Sequence, residues 1–319
     1  PALYDIDGDS RLDMIVGVDA HAEGPPFNTP DGGCLHVFRY DATGTGQPTS
    51  AISEIAGFPK CVDQVIVSSP VVGDIDADGK PEIVHGTGVF WPNRQQKIYA
   101  WNCDGPPVWG TVANPGLAIT GQVATTPALA DLDGNGQLDV IFTATTAGTP
   151  THRLYAVRGD GTNLFTPIQP RDFFGSSLSA GEPIVADVLG DSALEILVPT
   201  NTEAAVFSNT GVQLTETTPH PVPVVKPSFY TQVSLSAVAV TDLETNGAGN
   251  QIEVIAVSAT PFPSATSTEI HVWNPKAAGA NPPPAPPWGF FHRDEKRLGV
   301  APGAGICQAP CSDLTARNL

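Results

Sequence analysis

Asp74-Ile75-Asp76-Ala77-Asp78-Gly79-Lys80-Pro81-Glu82 decides the fold of this chain. It places acidic oxygens at positions 1, 3, 5 and 9 of a short loop between two apolar runs, Ser69-Pro70-Val71-Val72-Gly73 and Ile83-Val84. Carboxylate oxygens are the donors a hard divalent cation takes at roughly 2.3–2.6 Å, and the glycine after the third acid allows the sharp reversal that gathers them. The stretch therefore reads as a calcium loop joining two strands. The spacing returns whole in Asp5-Ile6-Asp7-Gly8-Asp9 with Asp13, and in Asp131-Leu132-Asp133-Gly134-Asn135 with Asp139, while Asp187 and Asp242 open weaker versions.

Counting from the first aspartate of each loop gives intervals of 69, 57, 56 and 55 residues. A period of that size suits four short strands with their turns. Each module opens on a small apolar strand, such as Thr126-Pro127-Ala128-Leu129-Ala130 or Glu182-Pro183-Ile184-Val185-Ala186. The acidic loop follows, then a β-branched strand such as Asp139-Val140-Ile141-Phe142. A third strand carries aromatics, as in Ile98-Tyr99-Ala100-Trp101 and Leu154-Tyr155-Ala156-Val157. The fourth is weakest, Val108-Trp109-Gly110 in the second module and Gln213-Leu214 in the fourth. No helical periodicity is present. The expected fold is all-β, a β-propeller of four-stranded antiparallel blades over residues 1–300, with blades near 1–66, 67–122, 123–179, 180–233 and 234–300 and a tail or linker at 301–319. Five modules make either a small ring or part of a seven-bladed one.

Lys plus Arg number 15 against 33 Asp plus Glu, a formal charge of −18, which argues against nucleic acid and anionic membranes as partners. Eleven of those acids lie in the three best loops, so much of the charge is a demand for metal. With no run of eighteen apolar residues, no membrane insertion is expected. The low Lys and Met content and the abundant Gly, Pro, Ser and Thr suit an extracellular or cell-surface protein, where millimolar calcium fills weak sites. Pro1 stands directly before a loop with no leader ahead of it, so a processed or truncated product is expected. Five cysteines leave one odd: Cys34 with Cys61 and Cys307 with Cys311 are the expected pairs, and Cys103 is left over.

The string Ser-Pro-x-x-x-Asp-x-Asp-x-Asp-Gly-x-x-Glu-Ile-Val, with Tyr99-Ala100-Trp101-Asn102-x-Asp104-Gly105 after it, resembles the FG-GAP or VCBS repeat of bacterial surface and secreted proteins, related to the propeller of integrin α chains. That resemblance implies calcium held by side chains at positions 1, 3, 5 and 9 and by the carbonyl at position 7. The ligands would be Asp5, Asp7, Asp9, Asp13 and the Arg11 carbonyl; Asp74, Asp76, Asp78, Glu82 and the Lys80 carbonyl; Asp131, Asp133, Asn135, Asp139 and the Gln137 carbonyl. The fourth loop departs at Leu189 but keeps Asp187, Asp191 and Glu195. The fifth carries an insertion, so Asp242, Glu244, Asn246 and Glu253 match loosely. About three structural calcium ions are expected, and at most five. Trp288-Gly289-Phe290-Phe291-His292-Arg293-Asp294, after a proline run at 282–287, resembles the segment that closes such propellers.

An EF-hand would need a bidentate glutamate at position 12 and flanking helices; Val16, His85 and Phe142 stand there instead. Arg158-Gly159-Asp160 invites an adhesive reading, yet it occupies the place of Asn102-Cys103-Asp104, which makes it turn chemistry. His21, Glu23 and His36 read as decoration of the insertion at 19–33. No HExxH, GxSxG or phosphate-binding loop is present. The expected function is a non-catalytic, calcium-stabilised scaffold for adhesion, assembly or recognition of a glycan or protein through loops such as 19–33 and 88–96. Alternatives are the propeller of a carbohydrate-active enzyme, a polysaccharide lyase or glycosidase, and a passive spacer within a larger exported protein.

Overall fold

Every acidic loop joins two antiparallel strands, as its spacing requires. The computed structural model describes residues 1–20, 31–40, 52–88, 90–91, 94, 96–146, 151–168, 181–199, 204–214, 235–241, 252–259, 268–273 and 307. Val71–Gly73 leads into the second loop and Glu82–Gly86 out of it, with Gly73 opposite Glu82. The same register puts Tyr4 opposite Asp13, Ala130 opposite Asp139, Ala186 opposite Glu195 and Thr241 opposite Glu253. The fifth loop is three residues longer than the second yet closes on the same pair, so Glu253 is the structural equivalent of Glu82. A third strand follows in each module: Gly32–Tyr40, Lys97–Asn102, Thr151–Val157, Ala204–Ser208 and Thr268–Trp273.

All strand pairs are antiparallel, and the described residues contain no helix. The fourth strand departs from expectation. Among the described residues the second module has four regular strands in its sheet, the first has five, and the others have three. In the third and fourth modules the described part of the outer chain pairs through bridges such as Leu154↔Ile168 and Phe207↔Gln213. The stretch expected as the outer strand of the second module is interrupted. Val108 donates to the Ala100 carbonyl, then a hairpin of Gly110–Thr111 and Asn114–Pro115 leaves the sheet before Leu117–Ala118 rejoins it. Gly110 and Gly116 frame this excursion at φ +81°, where a side chain would strain the backbone.

Strand alternation explains why the inner sheets are apolar on both faces. From the second sheet, Val72, Ile83, Tyr99 and Trp101 pack with Ile15, Leu35 and Val37 of the first, while Val71, Val84, Ile98 and Ala100 pack towards the third. From the fourth, Ile196, Val198 and Phe207 join the third sheet's core, and Ile184, Leu197 and Val206 join Val238, Val240 and Val254 of the fifth. The first strands of successive sheets lie against one another from the first module to the fifth. On the end sheets the outer faces are exposed, through Leu3 and Met14 on the first and Ile270 and Val272 on the last.

Cys34 and Cys61 are cross-strand partners in the first sheet and form a disulfide, as expected. The other expected pair is corrected: Cys307 is bonded to Cys103, 204 residues away in sequence, and Cys311 lies outside the described residues. The reason is tertiary. Cys307 donates its N–H to the Ile6 carbonyl at 3.0 Å, which places it where the first and second modules meet, beside Cys103.

That joint recurs. Cys103, Gly159 and Asn209 each follow the third-strand residue opposite position 9 of their own module's loop. Asn209 donates its side-chain amide to the carbonyl at position 2 of the preceding loop, Leu132, at 3.2 Å. Gly159 lies so close to the Ile75 carbonyl that a Cβ added to it would sit 1.8 Å from that oxygen, and its own carbonyl accepts from Trp109 Nε1 at 2.8 Å. The Arg-Gly-Asp tripeptide is thus a turn packed on the neighbouring module. Gly159→Ala is expected to destabilise the chain by about 1–3 kcal/mol, because backbone rather than a mobile side chain must give way; an unchanged melting temperature in differential scanning calorimetry would refute the joint.

Candidate metal centres

Four loops share one set of hydrogen bonds. The carboxylate at position 9 accepts the N–H of position 2 in each: Ile6 to Asp13 Oδ2 at 2.9 Å, Ile75 to Glu82 Oε2 at 2.8 Å, Leu132 to Asp139 Oδ2 at 3.0 Å and Val188 to Glu195 Oε2 at 2.9 Å. The position-5 oxygen accepts the N–H of position 7, Asp9 from Arg11, Asp78 from Lys80, Asn135 from Gln137 and Asp191 from Ala193. The position-1 aspartates draw in the N–H groups of the tight turn, Ser10 for Asp5, Gly79 for Asp74, Gly136 for Asp131 and Ser192 for Asp187.

Positions 4 and 6 are left-handed in all four loops, at Gly8 and Ser10, Ala77 and Gly79, Gly134 and Gly136, and Gly190 and Ser192. Three of these are not glycine, and each holds a conformation that costs roughly 1 kcal/mol. The backbone accepts that cost where the loop's own hydrogen bonds impose it. Strands flank every loop, so the EF-hand alternative is excluded.

Three loops gather carboxylates closely enough for one cation. Asp5, Asp7 and Asp13, then Asp74, Asp76 and Asp78, then Asp131, Asp133 and Asp139 each bring oxygens within 4.8 Å of one another. Ligand atoms at roughly 2.3–2.6 Å from a shared ion lie at most about 5 Å apart, so these sets fit. The second loop adds a stronger sign. Asp74 Oδ1 and Glu82 Oε1 are buried with no hydrogen-bond donor, a state proteins rarely leave unanswered. Asp9 and Asn135 stand at the equivalent of Asp78, oriented by Arg11 and Gln137 as above. Asp187, Asp191 and Glu195 form no such cluster; the fourth loop keeps its shape through hydrogen bonds, including a second one from Leu189 to Glu195 at 3.2 Å. Asp242, Glu244 and Asn246 lie outside the described residues, and Glu253 is buried at the head of its strand.

Sequence reasoning missed two cations. Arg39 Nη2 is 3.1 Å from Asp7 Oδ2, and Arg158 reaches Asp133 Oδ2 through Nη2 at 3.2 Å and Nε at 3.3 Å. Both stand opposite position 9, one step beyond the pairs Met14↔Phe38 and Val140↔Val157; Asn102 and Ser208 hold that place in the second and fourth modules. An arginine just after the aromatic strand was the available signal. His36, read as loop decoration, instead has its Nδ1 2.8 Å from Glu54 Oε1, and His21 and Glu23 lie outside the described residues.

Burial sets the electrostatics. It pushes the Glu82 carboxyl up to about 8, with Asp76, Asp74 and Asp78 adding repulsion against the stabilising Ile75 N–H. Burial likewise raises Asp13 and Asp139 to about 6 and Glu195 to about 7. Without metal, folded Glu82 keeps a proton between its ordinary 4.5 and about 8 that the unfolded chain releases, so stability is lost as pH rises through that window. A bound divalent cation displaces the proton. Melting in chelator is therefore expected at a higher temperature at pH 5 than at pH 8. Cation titration at pH 7 should show heats that depend on the buffer's ionisation enthalpy, a dependence that weakens in Glu82→Gln. Buffer-independent heats for the unsubstituted chain would contradict the assignment of Glu82.

The family described as FG-GAP-like repeat matches residues 5–85 and 131–198. No curated protein matches. Among solved structures, the chain is similar to the Pseudomonas aeruginosa PilY1 C-terminal domain at 13% identity and a TM-score of 0.47, covering 94% of this chain and 60% of that one. It is similar to the V. cholerae biofilm matrix protein Bap1 at 19% identity and a TM-score of 0.40, covering 75% of this chain and 41% of that one. A third likeness is BBS1N from a complex with ARL6DN, at 15% identity and a TM-score of 0.40, covering 83% and 67%. This chain thus spans less than two thirds of the PilY1 and Bap1 chains. Read with the loops that recur at the head of its sheets, the family match identifies FG-GAP-like repeats at residues 5–85 and 131–198 of this chain.

Proposed function

We propose that the chain is an extracellular, calcium-stabilised β-propeller that acts as a rigid scaffold for recognition of a glycan or protein. The observation that carries the reading is the second loop, where Asp74, Asp76 and Asp78 gather their oxygens within 4.8 Å and the buried Asp74 Oδ1 and Glu82 Oε1 lack donors among the described residues. Calcium would be held by Asp74, Asp76, Asp78 and Glu82 with the Lys80 carbonyl, and by the equivalent residues of the first and third loops. The ion's role is structural, neutralising acids that otherwise repel one another between the inner strands.

Sheets that bury both faces against sequence neighbours, with their first strands side by side, are what blades around an axis require. The buried Val71–Gly73, Ala128–Ala130 and Ile184–Ala186 strands would fill the centre with small apolar side chains. Two disulfides favour an oxidising compartment. No helix among the described residues is long and apolar enough to cross a membrane.

A recognition surface is supported by the insertion at 88–96. Phe90 is 60% exposed there, and Arg94 stacks on Trp91 at 4.5 Å. The buried Gln64 side chain grips the Trp91 backbone through both amide atoms, and Arg94 Nη1 donates to the Asp31 and Asp63 carbonyls, so these side chains are mounted on the first module. Aromatic and arginine side chains on an anchored loop are the usual makings of a binding hot spot.

Chelation tests the scaffold. At calcium a thousandfold above Kd each ion contributes about 4 kcal/mol, so EDTA is expected to lower the melting temperature by about 10 °C or more, with magnesium restoring less than calcium. A transition that ignores EDTA would sink the reading.

A further inference from the structure

A cavity of about 380 Å³ lies between the first and second modules, walled by the first module's Cys61 to Asp63, by Lys97 and Tyr99 of the second module's third strand, and by the hairpin at 110–115. Two of its side chains have capacity that the described residues do not fill. Lys97 is only 6% exposed, yet its ammonium meets two neutral oxygens, Asn114 Oδ1 at 2.6 Å and the Pro115 carbonyl at 2.8 Å. Those bonds fasten the hairpin to the sheet, and the ammonium lies 5.9 Å over the Tyr99 ring, but it has three donors and a charge, and among the described residues no carboxylate lies within ion-pair distance of it. Tyr99 is 2% exposed and lines the cavity, and its hydroxyl has no hydrogen-bond partner among the described residues. Burial first, and then the charge of Asp63, push that hydroxyl's pKa up, so it stays a donor. Asp63 lines the same space near enough to act on the Tyr99 hydroxyl, and Arg94 adds a second cation at its rim, 3.9 Å from the Asp31 carboxylate.

We propose that this cavity binds a carboxylate-bearing sugar, a uronic acid unit of an acidic glycan. The carboxylate would sit on Lys97 and beside Arg94, with the Tyr99 hydroxyl donating to it or to a ring oxygen. Sugar hydroxyls would donate to Asp63 and Asn114. A neutral sugar satisfies the second set and leaves Lys97 unanswered; a simple anion satisfies the first and meets the repulsion of Asp63. Only a ligand carrying both groups completes the cavity. The volume is near the low end for small-molecule sites, room for a sugar ring rather than a folded partner. Lys97 and Arg94 bring two cations to one hollow in a chain of net charge −18.

The inference deepens the recognition reading above and rests on it for the glycan, but its test is independent of calcium. Calcium-replete chain is titrated with galacturonic and glucuronic acid oligomers, with neutral glucose oligomers, and with an acidic peptide, at low and at raised salt. Uronate binding that weakens with salt and exceeds neutral-sugar affinity by about tenfold is expected. Tyr99→Phe removes only the unpartnered hydroxyl and should weaken uronate binding about fivefold with no loss of melting temperature. Lys97→Met should weaken it by about tenfold or more, and if that variant melts early, Tyr99→Phe decides alone. Equal affinity for uronate and neutral sugar, binding of the acidic peptide instead, or no binding at all would overturn the proposal. Chelation melting would still report separately on the scaffold.

Discussion

One peptide unit carries the architecture, the second residue of each acidic loop. Its side chain, Ile6, Ile75, Leu132 or Val188, is buried in the core, and its N–H closes the loop on the carboxylate at position 9. The carbonyls of the first three face the next module, where they meet Cys307 held by Cys103, then Gly159, then Asn209. Loop closure, sheet register and the joint between sheets are therefore one constraint seen from three sides. A buried carboxylate is costly to place, and here its cost is met by fixing the backbone that everything else uses.

Stacking follows from that constraint. Because the residue before each loop always pairs with position 9, every sheet starts in the same register, and strand alternation delivers one apolar face to each neighbour. A one-residue slip would turn Val72, Ile83 and Tyr99 away from the first module and break two cores together. The first joint is fastened covalently, since Cys103 occupies the place where later modules use Gly159 or Asn209 to reach the preceding loop.

The loops are alike in backbone and unlike in charge. Arg39 and Arg158 neutralise part of the first and third clusters from the third strand, whereas the second has Asn102 in that place and only a 3.9 Å contact of exposed Lys80 with Asp78. The second loop is also the one with buried oxygens lacking donors. The fourth has Leu189 at position 3, and its turn makes the same backbone-to-carboxylate hydrogen bonds as the others. The four loops thus share one turn, while three of them also gather three carboxylates within 4.8 Å.

The acidic spacing, the apolar strand before it and the β-branched strand after it were legible in the amino-acid order, because loop ligands and strand periods are local and repeat at a fixed interval. So was the Cys34–Cys61 pair, which lies within a single sheet. Other features were not legible: the interrupted outer strand of the second module, the reach of Arg158 to Asp133, and the buried Lys97 ammonium held by Asn114 and Pro115 beside Tyr99. Cys307 was paired in sequence with its near neighbour Cys311, but it is bonded to Cys103 because the chain returns to the first joint. Local hydrogen bonding and side-chain alternation act over a few residues, so order along the chain determines them. Which distant turn meets which carbonyl, and which buried charge is left without a partner, depends on how whole sheets stack, and that is set only when their two-sided cores close.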